Sequence, residues 1–128
     1  MERDRPLEPG LEVLAVGATP MTLSTLRRHL AVQGIRVDGA TDLGAARAAF
    51  LRSGGHHALV FAPGITPGDA RTMAFDLQAV DPDLPVLWFR ASHGPRVPGV
   101  EEVHGLHPGS RAAAGRIVRF LVERRGIR

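Results

Sequence analysis

Few residues in this 128-residue chain have side chains suited to reaction chemistry, and their spacing narrows what they can do. Of its 6 histidines, His56 and His57 are adjacent, and His93, His104 and His107 share one short stretch. Neighbouring side chains on a strand point to opposite faces, so His56 and His57 chelate poorly as a pair. The other three have no cysteine and no obvious carboxylate to complete a zinc set. No metal and no cofactor are expected. His107 can hold an anion beside Arg90. The loop at 16–20 (VGATP) leads into a helix N-terminus, a place where a phosphate can sit, but it matches neither the G-x-G-x-x-G nor the P-loop pattern. The chain has no cysteine, which excludes disulfides, thiolate catalysis and cysteine-based zinc sites.

Charge is the second signal. All 16 basic residues are arginine. With no lysine, tyrosine or cysteine, little titrates between histidine and arginine, so the isoelectric point of about 11.2 overstates a net charge of only +3. Residues 111–128 carry six arginines against one acid, Glu123. Arg111, Arg116 and Arg119 are candidates for a basic partner-docking face; the simpler role of Arg124 and Arg125 is to complement a helix C-terminus. Aromatic residues are 5% and no stacking set appears, so nucleic acid is not an expected partner. No segment has the apolar length of a membrane span, and residues 1–10 lack the apolar run of a signal peptide. The sequence therefore reads as cytoplasmic, with a disordered leader at 1–10 and one domain at 11–125.

The elements that must position these residues follow from hydrophobic periodicity. Residues 11–16 (LEVLAV), 58–62 (ALVFA) and 85–89 (PVLWF) are apolar runs suited to strands buried on both faces, the first interrupted by Glu12. Residues 35–40 alternate, and 100–106 alternate weakly, as edge strands do. Helices are expected after Thr19-Pro20, after Thr41 or Asp42, after the 63–68 loop, and after Ser110. Their apolar stripes are Leu23, Leu26 and Leu30; Leu43, Ala46, Ala49 and Phe50; Met73, Leu77 and Val80; and Ala114, Ile117, Val118 and Leu121. Residues 92–99 are poor in helix formers. Alternating strands and helices imply a parallel sheet covered on both faces, and the two strand characters fit the flavodoxin-like order 2-1-3-4-5. In such a fold the crevice lies beyond the carboxyl ends of the strands, at Gly17 and Ala18, Pro63 and Gly64, and residues 90–92. It offers no paired carboxylates and no Ser/His/Asp arrangement, so an enzyme is not expected.

Over residues 11–125 the chain resembles the receiver domain of two-component response regulators (CheY-like). The resemblance is carried by the order of elements, by LVFAPGITPGDA at 59–70, LPVLWFRAS at 84–92 and LHPGS at 106–110. It implies a doubly wound five-stranded parallel sheet, with the fourth helix short or missing. In that family an aspartate accepts a phosphoryl group from a histidine kinase, assisted by a cation on acidic residues and by a hydroxyl and a lysine. Carried over, the acidic pair falls on Gly17 and Ala18, the phosphoacceptor on Pro63, the hydroxyl on Arg90 and the lysine on His107. None of these side chains can replace its counterpart, because Mg²⁺ needs hard oxygen ligands and the acceptor must itself be a carboxylate. Asp69, the nearest carboxylate, sits where it would cap a helix. The resemblance thus implies a phosphorylation-independent pseudo-receiver that binds a signalling protein, a kinase or a second copy of itself. The alternative is a small-anion or nucleotide sensor using the vestigial pocket of Gly17, Ala18, Pro63, Arg90 and His107.

Overall fold

The computed structural model describes residues 10–126; of the leader expected at 1–10, residues 1–9 lie outside it. Strands β1 (Leu11–Val16), β2 (Ile35–Ala40), β3 (Ala58–Phe61), β4 (Val86–Phe89) and β5 (Val100–Val103) alternate with helices α1 (Pro20–Ala31), α2 (Leu43–Arg52) and α3 (Pro67–Val80), and α4 (Arg111–Arg125) closes the order. All neighbouring strands pair in parallel, in the order β2-β1-β3-β4-β5 expected from the sequence. The central strands β3 and β4 are buried at every position, whereas β2 and β5 keep partly exposed residues, as their edge places require.

Period-2 alternation divides the core in two. Leu11, Val13 and Ala15 pack with Leu26 and Leu30 of α1 and Ile117, Phe120 and Leu121 of α4. Leu14 and Val16 pack on the other face with Phe50 of α2 and Met73 and Leu77 of α3. Each helix starts as its sequence dictates: Thr19, Asp42, Thr66 and Ser110 accept hydrogen bonds from amides three residues on. Asp69 is therefore not a cap. Thr66 caps α3, Pro67 opens it, and Asp69 lies in its first turn, where a negative charge suits the helix dipole. Val80, expected on the buried stripe of α3, is half exposed at the helix end, and Val118 is only partly buried.

Residues 90–99 cross from β4 to β5 without a helix; the chain's fourth helix is α4, after β5. Parallel crossovers usually take a helix that satisfies its own backbone. Here side chains do that work. Gln78 of α3 donates from Nε2 to the carbonyls of Leu84 and Gly99, Arg90 donates to that of Pro95, and Val97 is buried on the α2/α3 side of the sheet. Gly99 is required where it stands: its φ is +78°, and a Cβ there would lie 2.7 Å from Gln78 Oε1.

Candidate functional site

The crevice at the carboxyl ends of the strands is built from the loops after β1, β3 and β4. β1 ends at Val16; the amide of Gly17, just after it, donates to Ala40 O, and Ala62 donates to Val16 O, so the loops after β1 and β3 are pinned side by side. Gly17 has φ +84°, and a Cβ added to it would come within 2.8 Å of Ile65 Cδ1 and 3.8 Å of Ala62 Cβ. Ile65, from the turn after β3, therefore leans over Gly17, and the junction of β1 and β3 is lined by Gly17, Ala62 and Ile65. Sequence reasoning misses Ile65; the available signal is its being the one large apolar residue in a Pro/Gly-rich loop. Pro63 and Gly64 follow in an exposed turn, and Ala18 is partly exposed with no functional group to offer.

Arg90, which the resemblance places in the vestigial pocket, is instead drawn into the sheet. It is 5% exposed. Alternation puts it on the face of Trp88, two residues back, and its guanidinium lies 4.5 Å from the Trp88 ring centroid. One nitrogen donates at 2.8 Å to Glu102 of β5 and at 2.9 Å to Pro95 O. Glu102 is the register partner of Trp88, so strand pairing delivers the carboxylate to the guanidinium. Burial pushes the Glu102 carboxyl up, but hydrogen bonds from Arg90 and His104 and their charges outweigh it and hold the group below its ordinary value. His104 Nε2 sits 3.1 Å from Glu102, and the rings of His93 and His104 stack at 4.1 Å.

His107 is held separately. Its Nδ1 accepts from the Gly109 amide at 3.0 Å and its carbonyl accepts from Ser110, so the residue shapes the turn into α4. Arg90 and His107 thus have different partners, and the cation on which an anion-sensing pocket would depend is committed to Glu102.

The candidate partner face also divides. Arg116 is bonded to Glu101 of β5, joined there by Arg124 at 3.2 Å, because alternation turns Glu101 toward α4 as it turns Glu102 away. Arg116 is therefore part of the packing of α4 on the sheet. Arg111 and Arg119 are exposed and make no ion pair among the described residues. Arg111 borders an open hollow between α1 and α4, shared with His29, Val32, Ala114, Gly115 and Val118. Val32 in it is 79% exposed.

A further polar group lies at the opposite, amino end of the strands. Glu12, Asp38 and His56 form the one set of three or more His, Asp or Glu among the described residues whose ligand atoms converge. A Ser53–His56–Asp38 chain runs through it, with contacts of 3.3 and 2.8 Å. It has the residue types of a nucleophilic triad but no oxyanion donors beside Ser53, because the amides of Gly54 and Gly55 are spent on Leu51 O and Phe50 O.

No protein-family model matches the chain, and no curated protein matches it. Solved structures do. The CheY-like response regulator receiver domain protein from Methanospirillum hungatei JF-1 superposes with a TM-score of 0.72 at 14% identity, over 91% of this chain and 97% of that one. The receiver domain of the hybrid histidine kinase CckA gives 0.64 at 22% identity, over 86% and 98%. A chain from the complex of histidine kinase ThkA with response regulator protein TrrA gives 0.66 at 19%, over 88% and 98%. With 86–91% of this chain superposed on 97–98% of each neighbour, this chain has the CheY-like receiver fold.

Proposed function

We propose that the chain is a phosphorylation-independent receiver module that signals by binding a protein partner and catalyses no reaction. The observation that carries this reading is the lining of the β1–β3 junction. Gly17, Ala62 and Ile65 meet where phosphotransfer would need a carboxylate nucleophile and oxygen ligands for a cation. Retaining the fold while filling that junction with apolar groups leaves surface recognition as the use of the scaffold. The structural neighbour that comes from a complex of a histidine kinase with a response regulator supports a signalling protein as the partner class. The hollow between α1 and α4, bordered by exposed Val32 and by Arg111, supplies an apolar patch with a basic edge for it, and Arg119 is a further exposed arginine of α4. No helix among the described residues is long and apolar enough to cross a membrane.

The test is incubation with acetyl phosphate and Mg²⁺ followed by intact-mass measurement and acid-lability analysis. No phosphate adduct is expected. A stoichiometric, Mg²⁺-dependent, acid-labile adduct would overturn the reading. A partner captured by the intact chain should be released by Arg111→Glu with Arg119→Glu, substitutions that leave the β1–β3 junction untouched.

A further inference from the structure

Strand β1 is apolar on both faces except at Glu12, and that exception has partners. Glu12 pairs in register with Arg36, and Leu14 with Asp38, so Glu12, Arg36 and Asp38 share the sheet face covered by α2. Above them α2 ends at Arg52, and the turn back to β3 brings in His56. The His56 ring is fully buried, lies against Phe50 at 5.9 Å, and places Nε2 2.8 Å from Asp38 Oδ2. One ligand atom each from Glu12, Asp38 and His56 lies within 4.8 Å of the others.

We propose that Glu12, Asp38 and His56 form a binding site for a divalent first-row transition metal, with Zn²⁺ the representative ion. One imidazole nitrogen and two carboxylate oxygens suit Zn²⁺, Mn²⁺ or Co²⁺ better than a hard ion that keeps several waters. Bonds of about 2.1 Å bring two ligands to within about 4.2 Å of each other, so modest side-chain rotation closes the set.

Three observations beyond the convergence support the assignment. One Glu12 oxygen, Oε1, is buried and has no hydrogen-bond partner, so this carboxylate keeps an unused acceptor although Arg36 engages its other oxygen. The site already attracts a cation: the Arg36 guanidinium lies 2.9 Å from Glu12 and 3.8 Å from Asp38, yet its side chain is 63% exposed and can swing to solvent. The histidine is also oriented from behind. Ser53 Oγ lies 3.3 Å from His56 Nδ1 and within 3.3 Å of the Phe50 and Gly55 carbonyls, which its single proton can serve. Without metal, Nε2–H donates to Asp38, which can only accept; a metal at Nε2 would take the place of that proton and require the Nδ1–H tautomer, whose proton the Ser53 lone pairs can accept. The backbone is stitched as well. Glu12 donates to His57 Nδ1, His57 donates to Glu12 O, and Arg125 binds the carbonyls of both histidines. An open hollow bordered by Arg36, Asp38, Arg52 and Ser53 reaches the Asp38 side of the set.

The full chain, stripped with EDTA, is titrated with ZnCl₂ by calorimetry and with CoCl₂ by visible absorption. One metal per chain is expected. Glu12→Gln and Asp38→Asn, both on partly exposed residues, should weaken binding by more than the roughly 10–100-fold typical of changes behind a ligand. Arg36→Ala should tighten it, because it removes the resident cation. His104→Gln, at the stacked His93–His104 pair, should leave it unchanged. Absence of a stoichiometric Zn²⁺ heat and Co²⁺ spectrum would overturn the proposal. So would weaker binding in Arg36→Ala, or loss in His104→Gln with Asp38→Asn unaffected.

Discussion

Replacing Arg90 with methionine tests whether this residue is an internal tie or a cation held ready for a ligand. The methionine keeps the aliphatic bulk and removes the guanidinium. Three contacts go with it: the ion pair to Glu102, the hydrogen bond to Pro95 O and the stack on Trp88. The Arg90 side chain is 4% exposed and that of Glu102 18%, so the pair is largely desolvated. Breaking a buried pair by removing one partner costs about 3–5 kcal/mol, and the low end applies because Glu102 keeps His104. The lost cation–π contact adds about 1 kcal/mol. The sum, about 3–4 kcal/mol, displaces a urea midpoint by about 2 M at an ordinary slope for a small domain. Far-UV circular dichroism should follow the transition, since Trp88 fluorescence responds to the substitution directly. The double variant Arg90→Met with Glu102→Leu removes both charges and should recover about 2 kcal/mol of the loss. A single-variant loss under about 1 kcal/mol, or strictly additive effects, would refute the reasoning and show a solvated guanidinium.

Two further outcomes follow from the same geometry. The Glu102 carboxyl is held below its ordinary value in the folded chain, so its stabilising contribution is complete above the unfolded value of about 4.3 and disappears as pH falls through the lower folded one. Glu102→Gln should therefore be less stable than the parent at pH 7 and show a flatter loss below about pH 4.3; parallel stability curves for the two proteins would exclude this. Gly17→Ala should cost about 1–2 kcal/mol through its left-handed backbone alone. Adding Ile65→Val should return only the part due to the 2.8 Å contact, and complete recovery in thermal unfolding would mean that the backbone carries no strain.

Sheet order is legible in the sequence because strand burial leaves a compositional trace. Runs with almost no polar residue must be central, and alternating ones must be edges, which sorts β1, β3 and β4 from β2 and β5. Helix starts are legible because Thr19, Ser110 and the Pro67 turn are local chemistry. Groups defined across strands are not. In the sequence His56 invites comparison with His57, its neighbour, whereas its partner is Asp38 on another strand. The place of Arg90 at a strand end suggests solvent, although its position relative to Trp88 already puts it on the inner face. Arg116 looks like surface because a helix viewed alone does not reveal that Glu101 lies beneath it.

The crossover from β4 to β5 ties these cases together. A helix there would satisfy its own amides and carbonyls and would leave Arg90 free of backbone duties. Without one, residues 90–99 are anchored at few points: the Arg90 guanidinium, the Gln78 amide and the Val97 side chain. Two of those anchors are polar side chains reaching in from elements on either side, so β4, β5 and α3 are coupled through single residues. Such a segment gains order from its anchors and little from its own backbone, which places it at the low end of local stability. The acids of β5 make the same point from the sheet's side. Glu101 and Glu102 each meet arginine on opposite faces, so the short edge strand is fixed by charge where a longer one would be fixed by apolar area. The arginines that suggest a partner surface in the sequence are in part what closes this side of the fold. Of the three candidates, Arg111 and Arg119 are those that no carboxylate engages among the described residues, and Arg111 borders the hollow of α1 and α4.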